Sequence, residues 1–406
     1  MKKYAKSTHK KQSIPASERD KTLKGQIQFK FNPKKILSLR LAEYYELLKG
    51  CYSDPYWAYE FYNVSVDDKS YDEDDWTYYY KVGDKVVPVK MAKKYNTVYS
   101  CFCGAEFRRP DDWTEFPVKG MTEDGYLLSN GYFCKDRLCP MCSWRRSLKI
   151  FSQVSMIMNE IEHDYEFLFL TLTVPNCSGS ELPATIDKLQ YGFRRLLHMK
   201  KFKNAVKGYF KALEVTKSKN RFAYNCYHPH YHVILAVDKN YFQKDYVTHT
   251  QFLDMWRKAM KDPSITQVDI RRVLPKEGDE LRKDSKSYSS AVAEVAKYSV
   301  KSTDYILNVD VSKFETDELI KPAKTILDLV LAFQDRRLCS FGGCFSDARK
   351  KLKLDDCEDG DLVHIDQNSI RSDVGYMIRK YEWDVGGYKL IEEMHQVNLD
   401  ICCDDI

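Results

Sequence analysis

The segment Tyr227-His228-Pro229-His230-Tyr231-His232 runs into the apolar stretch Val233-Ile234-Leu235-Ala236-Val237, which reads as a strand anchored in a sheet. Side chains on a strand alternate between faces, so His230 and His232 present two imidazoles side by side. Such a pair can hold a divalent cation. Glu214 lies in the otherwise apolar strand Phe210-Lys211-Ala212-Leu213-Glu214-Val215-Thr216, one hairpin earlier. A buried carboxylate without a partner is costly, and a shared metal explains it. Two imidazoles and one carboxylate with open positions suit Mn2+ or Mg2+, the imidazoles favouring Mn2+. His228 shares the parity of this face, as a group behind the ligands or as a phosphate contact.

A second unit of chemistry lies in Ala291-Val292-Ala293-Glu294-Val295-Ala296-Lys297-Tyr298-Ser299-Val300-Lys301, a helix by propensity. On that helix Glu294 and Tyr298 are four apart, and Lys301 follows three later, so all three share a face. A phenol, a carboxylate and an ammonium together can transfer a phosphoryl group. Tyrosine, with a pKa of about 10, needs a metal or a cation beside it to act as a nucleophile near neutrality. Without the histidine strand, the same three residues would read as an ordinary solvated helix face.

Thiolate chemistry is concentrated in Cys101, Cys103, Cys134, Cys139 and Cys142. Cys139-Pro140-Met141-Cys142 lets two sulfurs grip one ion from a single turn. Zn2+ takes four soft ligands in a tetrahedron. The expected set is Cys103, Cys134, Cys139 and Cys142, with Gly104 allowing the turn and Cys101 as the alternative ligand. An all-sulfur set leaves no open position, so the site reads as structural. The competing reading is a group of buried or reactive free thiols. Trp144-Arg145-Arg146 and Lys149 then begin a basic helix, whose Arg145, Arg146 and Lys149 are expected on phosphates.

These groups need elements to carry them. Helices are expected at 33–49, 183–199, 251–260, 290–302 and 321–333, and strands at 165–174, 208–216, 230–237 and 266–273. Residues 52–90 are rich in Tyr, Trp and Asp. Their acids would repel a nucleic acid, so packing or partner contact is the better role. The first 25 residues read as a polar, basic arm. No internal repeat is evident.

The 406 residues allow two or three domains. The net charge of +5 hides an asymmetry: residues 354–406 carry 14 Asp/Glu against 4 Lys/Arg, so the remainder is +15. A basic body suits a polyanionic partner, since Lys and Arg release counterions from phosphates. No apolar run is long enough for a bilayer, and the basic start lacks a secretory core. A cytoplasmic protein without membrane contact is therefore expected. The odd count of 13 cysteines points to reduced thiols and metal rather than a disulfide scaffold.

Three motifs stand in order: Phe169-Leu170-Thr171-Leu172-Thr173-Val174-Pro175-Asn176, then His228-Pro229-His230-Tyr231-His232, then Glu294 through Lys301. Together with the cysteine segment 133–146 and Arg337-Leu338-Cys339-Ser340-Phe341-Gly342-Gly343, this combination resembles the replication initiator (Rep) family of rolling-circle plasmids from Gram-positive bacteria. That family lies within the HUH endonuclease superfamily, and the resemblance spans about residues 97–365. It implies an α+β fold, a central antiparallel sheet with flanking helices and an appended zinc-binding segment. It implies that Tyr298 attacks a phosphate at the plasmid origin, single-stranded at the nick. The products would be a 5′-phosphotyrosine and a free 3′-hydroxyl primer. Glu294 matches the carboxylate that activates water for termination, and Lys301 would hold the phosphate or phenolate. Ser299 departs from the usual apolar residue.

The expected organisation is an N-terminal arm and variable region (1–95), a zinc segment (96–150), a nicking domain (151–312) and a C-terminal region with an acidic tail (313–406). Host helicase and DNA polymerase are the expected partners, with a homodimer as an option. The rival readings are a mobilisation relaxase, a single-tyrosine transposase, or a non-catalytic zinc-dependent DNA-binding regulator.

Overall fold

Runs rich in apolar, β-branched and aromatic residues in 165–173, 206–217 and 226–238 produce three long strands, and these form the centre of the larger sheet. The computed structural model describes residues 23–52, 71–72, 77–82, 85–113, 122, 124–218, 226–273, 289–297, 300–306, 316–365 and 374–396. The start of the expected basic arm, the end of the acidic tail and Tyr298 with Ser299 lie outside them.

Along the chain come α1 (Asn32–Tyr52), then β1 (Tyr71–Asp72), β2 (Thr77–Val82) and β3 (Lys85–Lys90). Next are α2 (Met91–Tyr99), β4 (Gly104–Pro110), β5 (Leu127–Gly131) and α3 (Pro140–Ile161). The central part holds β6 (Tyr165–Thr173), β7 (Cys177–Ser178), α4 (Leu182–His198), α5 (Lys200–Ala205), β8 (Val206–Lys217) and β9 (Cys226–Asp238). Then follow α6 (His249–Met260), β10 (Val268–Arg272), α7 (Ser289–Val295), α8 (Thr316–Phe333), β11 (Cys339–Gly343) and α9 (Cys344–Lys351). A hairpin, β12 (Tyr376–Asp384) and β13 (Gly387–Gln396), ends the described chain.

The chain groups into two compact units. The smaller comprises 1–33, 104–130 and 370–406. It contains an antiparallel sheet in the order β13-β12-β4-β5. Phe107 packs edge-on against Phe31 and Tyr381, each at 5.9 Å between ring centroids, and Arg379 lies 4.7 Å from the Tyr126 ring centroid. Much of the acidic C-terminal segment, which sequence reading could not place, thus becomes a hairpin whose charges face outward.

The larger unit comprises 34–103 and 131–369. It holds the small antiparallel sheet β1-β2-β3 and the sheet β10-β6-β9-β8-β11, also antiparallel, with β7 added beside β9. The fold is α+β, with helices flanking the large sheet. α4, α6 and α8 cover one face, and α3, α7 and α9 the other. The strand interior is fully apolar, with Val233, Ile234, Leu235, Ala236 and Val237 all at 0% exposure. Burial on both faces explains why alternation fades in this run. Gly192 lets α4 meet α6: a Cβ there would lie 2.1 Å from the Met260 sulfur.

The expected helix 290–302 is shorter. α7 ends at Val295, and a separate 3-10 turn occupies Ser302–Asp304. Among the described residues no helix is long and apolar enough to cross a membrane.

Lys211 interrupts the apolar packing on the α4 face of β8. Its ammonium stands 4.0 Å from the Tyr231 ring centroid and 5.2 Å from that of Phe193. Burial pushes its pKa from 10.5 down to about 8. The unfolded chain keeps this proton to a higher pH than the folded one. Stability therefore rises with pH between about 8 and 10.5, and below about 8 the cost of burying the charge is present in full. Lys211→Met is expected to stabilise the protein at pH 7, by at most about 3 kcal/mol, and to flatten its pH dependence above 8. Urea unfolding at pH 7 and pH 10 checks this. A less stable variant at pH 7 would mean that the contact with the two rings outweighs the burial cost.

Candidate functional site: a metal triad and a four-sulfur cluster

Glu214 sits opposite His230 in the β8–β9 register, and His230 and His232 sit opposite Thr173 and Thr171 of β6. Three adjacent strands therefore aim five side chains at one end of the α7-covered face. Glu214, His230 and His232 are all buried, at 6%, 7% and 8% exposure. Glu214 Oε2 lies 2.8 Å from His232 Nε2 and 3.4 Å from His230 Nε2, and the two Nε2 atoms are 3.2 Å apart.

The other ring nitrogens show what this convergence requires. His230 Nδ1 donates to the carbonyl of His228 at 3.1 Å, and His232 Nδ1 is 3.3 Å from Thr171 Oγ1. An imidazole that donates from Nδ1 offers a lone pair at Nε2. The two Nε2 atoms and a carboxylate oxygen then face one point, where a cation can be shared between them. Burial alone would raise the Glu214 pKa, but hydrogen bonds and charge from His230 and His232 outweigh it and hold the carboxyl well below the usual range. These residues form a group able to hold a metal ion.

Glu294 closes the edge of the triad. Its Oε1 is 3.9 Å from His232 Nε2, while Oε2 accepts from Lys297 Nζ at 2.5 Å. His228 lies behind His230, its ring centroid 5.3 Å away, and its Nδ1 donates to Asn176 Oδ1 at 2.9 Å. Burial, then the charge of His230, pushes the His228 pKa below its ordinary value. Lys301 is exposed at the start of the 3-10 turn and forms no ion pair with the triad among the described residues. Thr171 and Asn176 escaped the sequence reading as site residues. Thr171 could have been found from strand parity, whereas the Asn176 contact crosses from a loop.

The sulfur cluster differs from expectation in one ligand. Cys101, not Cys103, joins Cys134, Cys139 and Cys142, and the four sulfurs lie within 4.8 Å of one another. Cys101–Cys142, Cys134–Cys142 and Cys101–Cys139 separations are 3.6, 3.5 and 3.7 Å. A regular tetrahedron with metal–sulfur bonds of about 2.3 Å has edges of about 3.8 Å, so the spacing fits a single soft ion. The reason for the exchange is local. Phe102 adopts a left-handed φ of 53°, which turns Cys101 and Cys103 apart. Cys103 Sγ instead accepts from Lys35 Nζ at 3.2 Å. Burial would raise the Cys139 thiol, yet hydrogen bonds from Cys101, Cys134, Cys142 and Ser38 hold it well below its usual value.

Arg145, Arg146 and Lys149 do not face outward toward phosphates. They are 6%, 1% and 1% exposed. Arg145 donates to the carbonyls of Leu362 and Val363, and Arg146 to that of Glu358. Lys149 Nζ pairs with Asp355 at 2.6 Å and donates to the Asp361 carbonyl at 2.7 Å. Their charge is spent on fixing the loop 355–363. The basic helix was legible, but its partner, more than 200 residues away, was not.

Cys101→Ser or Cys139→Ser is expected to lose the metal of this cluster and to lower the melting temperature, while Cys103→Ser keeps it. Elemental analysis of the three purified variants checks this. Equal metal content in all three would place the ligands elsewhere.

The sequence has relatives among known proteins. A family model described as "Replication protein" matches residues 126–389. A protein named "Protein rep" from Bacillus sp. is 38% identical over 302 residues, covering 72% of this chain and 92% of its own length. "Protein rep" of Bacillus amyloliquefaciens is 41% identical over 254 residues, covering 60% of this chain and 72% of its own. "Protein rep" of Streptococcus pneumoniae serotype 2 is 36% identical over 249 residues, covering 60% and 70%. No solved structure matches the chain. The matched span includes Glu214, His230, His232 and Glu294 together with three of the four clustered sulfurs, and on the family match and these identities the chain belongs to the replication protein (Rep) family of plasmid replication initiators.

Proposed function

We propose that this protein is a metal-dependent, site-specific DNA nickase and strand transferase of the HUH type, which starts rolling-circle replication at a plasmid origin. The observation that carries this reading is the convergence of Glu214, His230 and His232 on one point, with Glu294 at its edge. A divalent cation bound there, Mn2+ or Mg2+, would draw charge from a non-bridging oxygen of the scissile phosphate. The four-sulfur cluster fits a structural Zn2+ with no open position.

In this reading the Tyr298 oxygen attacks the phosphorus, the P–O3′ bond breaks, and the 3′ oxygen leaves as the hydroxyl that primes a polymerase. The 5′ strand end stays on the protein as a phosphotyrosine. The phenolic proton must leave as the bond forms, and Lys301 would steady the phenolate or the phosphate. To end a round, Glu294 takes a proton from water, which cleaves the regenerated origin. Its Oε2 accepts a hydrogen bond from Lys297 Nζ, which leaves Oε1 on the side of the triad. His228, half-buried beside the ligands, is placed to reach a phosphate at the mouth of the site. Host helicase and polymerase would act on the displaced strand and the primer.

The choice of Tyr298 over Tyr305 is supported by the burial of Tyr305, whose hydroxyl donates to the Leu138 carbonyl at 2.5 Å. Tyr298→Phe is expected to lower covalent attachment to a single-stranded origin oligonucleotide by at least ~1000-fold while binding persists. Denaturing gels with and without EDTA measure this, and the wild-type adduct should require the metal. An adduct retained by the variant would assign the nucleophile elsewhere, and tight binding without any wild-type adduct would favour the regulator.

Glu294→Ala is expected to nick within about tenfold of wild type but to release or transfer the strand roughly 100-fold more slowly. Single-turnover assays that separate the two cleavages test this. Equal loss of both would remove the termination-specific role.

A further inference from the structure

β10 is an edge strand of the large sheet, and it carries an arginine onto the face of the metal triad. Among the described strands it pairs only with β6, Asp269 opposite Thr171 and Arg271 opposite Phe169. Thr171 in turn pairs with His232. Residues opposite one another in paired strands share a face, and so do residues two apart on one strand. Asp269, Arg271, Phe169 and His232 therefore lie on one face. Arg272, the next residue, falls on the other. There Glu166 holds it at 2.8 Å, and its guanidinium lies 4.9 Å from the Phe242 ring centroid.

The Arg271 guanidinium carbon stands 4.8 Å from the Phe169 ring centroid, and the same ring stands 5.5 Å from the His232 imidazole. Phe169 is 1% exposed, whereas the Arg271 side chain is 62% exposed. A buried ring thus fixes where the cation sits, and its outer side remains open to solvent. A guanidinium lying on a ring uses its flat face there and keeps the N–H groups, which point outward in its own plane, for an anion. Among the described residues its ion-pair partner is Asp269, 60% exposed and at 4.0 Å. An exposed pair at that distance holds weakly, and a phosphate can replace it. β9 is the second strand from β10, about 10 Å across the sheet. A cation on the triad and a guanidinium on Phe169 are therefore spaced for successive phosphates of one strand rather than for a single one.

We propose that Arg271 grips a phosphate flanking the scissile one and so holds the single strand in line over the metal triad. This rests on the nickase reading for its ligand, a single strand of DNA. Two parallel N–H groups of an arginine match two oxygens of a phosphate, where a lysine offers a point charge. A phosphate contact carries no base information, so Arg271 positions the strand without choosing its sequence.

The test uses the full-length protein and a single-stranded origin oligonucleotide in which one phosphate at a time is replaced by a neutral methylphosphonate. Binding is followed by fluorescence anisotropy in EDTA across a salt series, and covalent attachment by denaturing gel in Mn2+. In wild type, one neutralised phosphate flanking the cleavage point is expected to lower affinity and attachment by about tenfold. Arg271→Ala should show that loss on the unmodified strand, and the methylphosphonate at that position should then add no more than about twofold. Its slope of log K against log salt should be shallower by about 0.7, the value of one single-strand phosphate contact. Arg271→Lys keeps the charge and should restore the slope but only part of the attachment rate. Arg272→Ala removes the same charge from the other face and should change none of these. Equal losses in Arg271→Ala and Arg272→Ala, or methylphosphonate effects undiminished in Arg271→Ala at every position, overturn the assignment and leave the nickase reading standing. If wild type forms no adduct while the affinity loss still couples Arg271 to one phosphate, the nickase reading falls and the phosphate contact stands.

Discussion

The site depends on one register. Glu214 of β8 must face His230 of β9, and His232 must face Thr171 of β6. Strand side chains alternate with a period of two, so a slip of one residue would send Glu214 to the opposite face, where Tyr231, Phe193 and Lys211 pack. The run from Val233 to Val237 prevents this slip. Those residues are buried on both sides, and moving them by one position would break packing on both faces at once. Chemistry sits at one end of the strand and rigidity at the other, and the same pairing sets both.

A second constraint is the disposal of charge within the larger unit. Arg145, Arg146 and Lys149 are buried on α3, and such cations are tolerable only when their donors are met. The loop 355–363 meets them with backbone carbonyls and with Asp355. Glu358, at 0% exposure, pairs with Arg137 at 2.6 Å and accepts from the backbone of Leu338 and Cys339. The sulfur cluster is fastened to this network, because Arg137 and Asp136 lie between Cys134 and Cys139 in the chain. Asp136 in turn holds Lys94 at 2.7 Å and Tyr45 at 3.2 Å. Through Asp136, Arg137 and Glu358 this network links the cysteine cluster to β11 and the edge of the large sheet.

Periodicity revealed β6, β8, β9, α4 and α6 to within a few residues, because each carries a strong local pattern. The triad followed from parity plus one misplaced acid. What sequence reading missed was decided by distant or conformational terms. Cys101 displaced Cys103 through the left-handed backbone of Phe102 and the ammonium of Lys35, and no spacing rule encodes either. The basic helix seemed made for phosphates because the residues that neutralise it lie more than 200 positions away. The pairing of β4 with β12 joins residues about 270 apart, so the acidic segment gave no local sign of its place. Helix propensity carried the expected helix past Val295, although the chain leaves helical geometry there.

The charge of the triad also bears on its substrate. A metal ligand imidazole binds in its neutral form, so a dication held by His230, His232 and the Glu214 carboxylate would leave the centre with one positive charge facing a phosphodiester that carries one negative charge. A site of three carboxylates would bind the ion more strongly and leave a negative centre that repels the same phosphate. Glu294 adds a carboxylate at the edge, and Lys297 offsets its charge at 2.5 Å, so it adds little repulsion toward an anion. The burial of all three ligands deepens this effect, because opposite charges attract more strongly where water is excluded. Under the proposed function, two histidines, one acid and a paired glutamate would meet one electrostatic demand: holding a dication firmly while leaving it attractive to a phosphodiester.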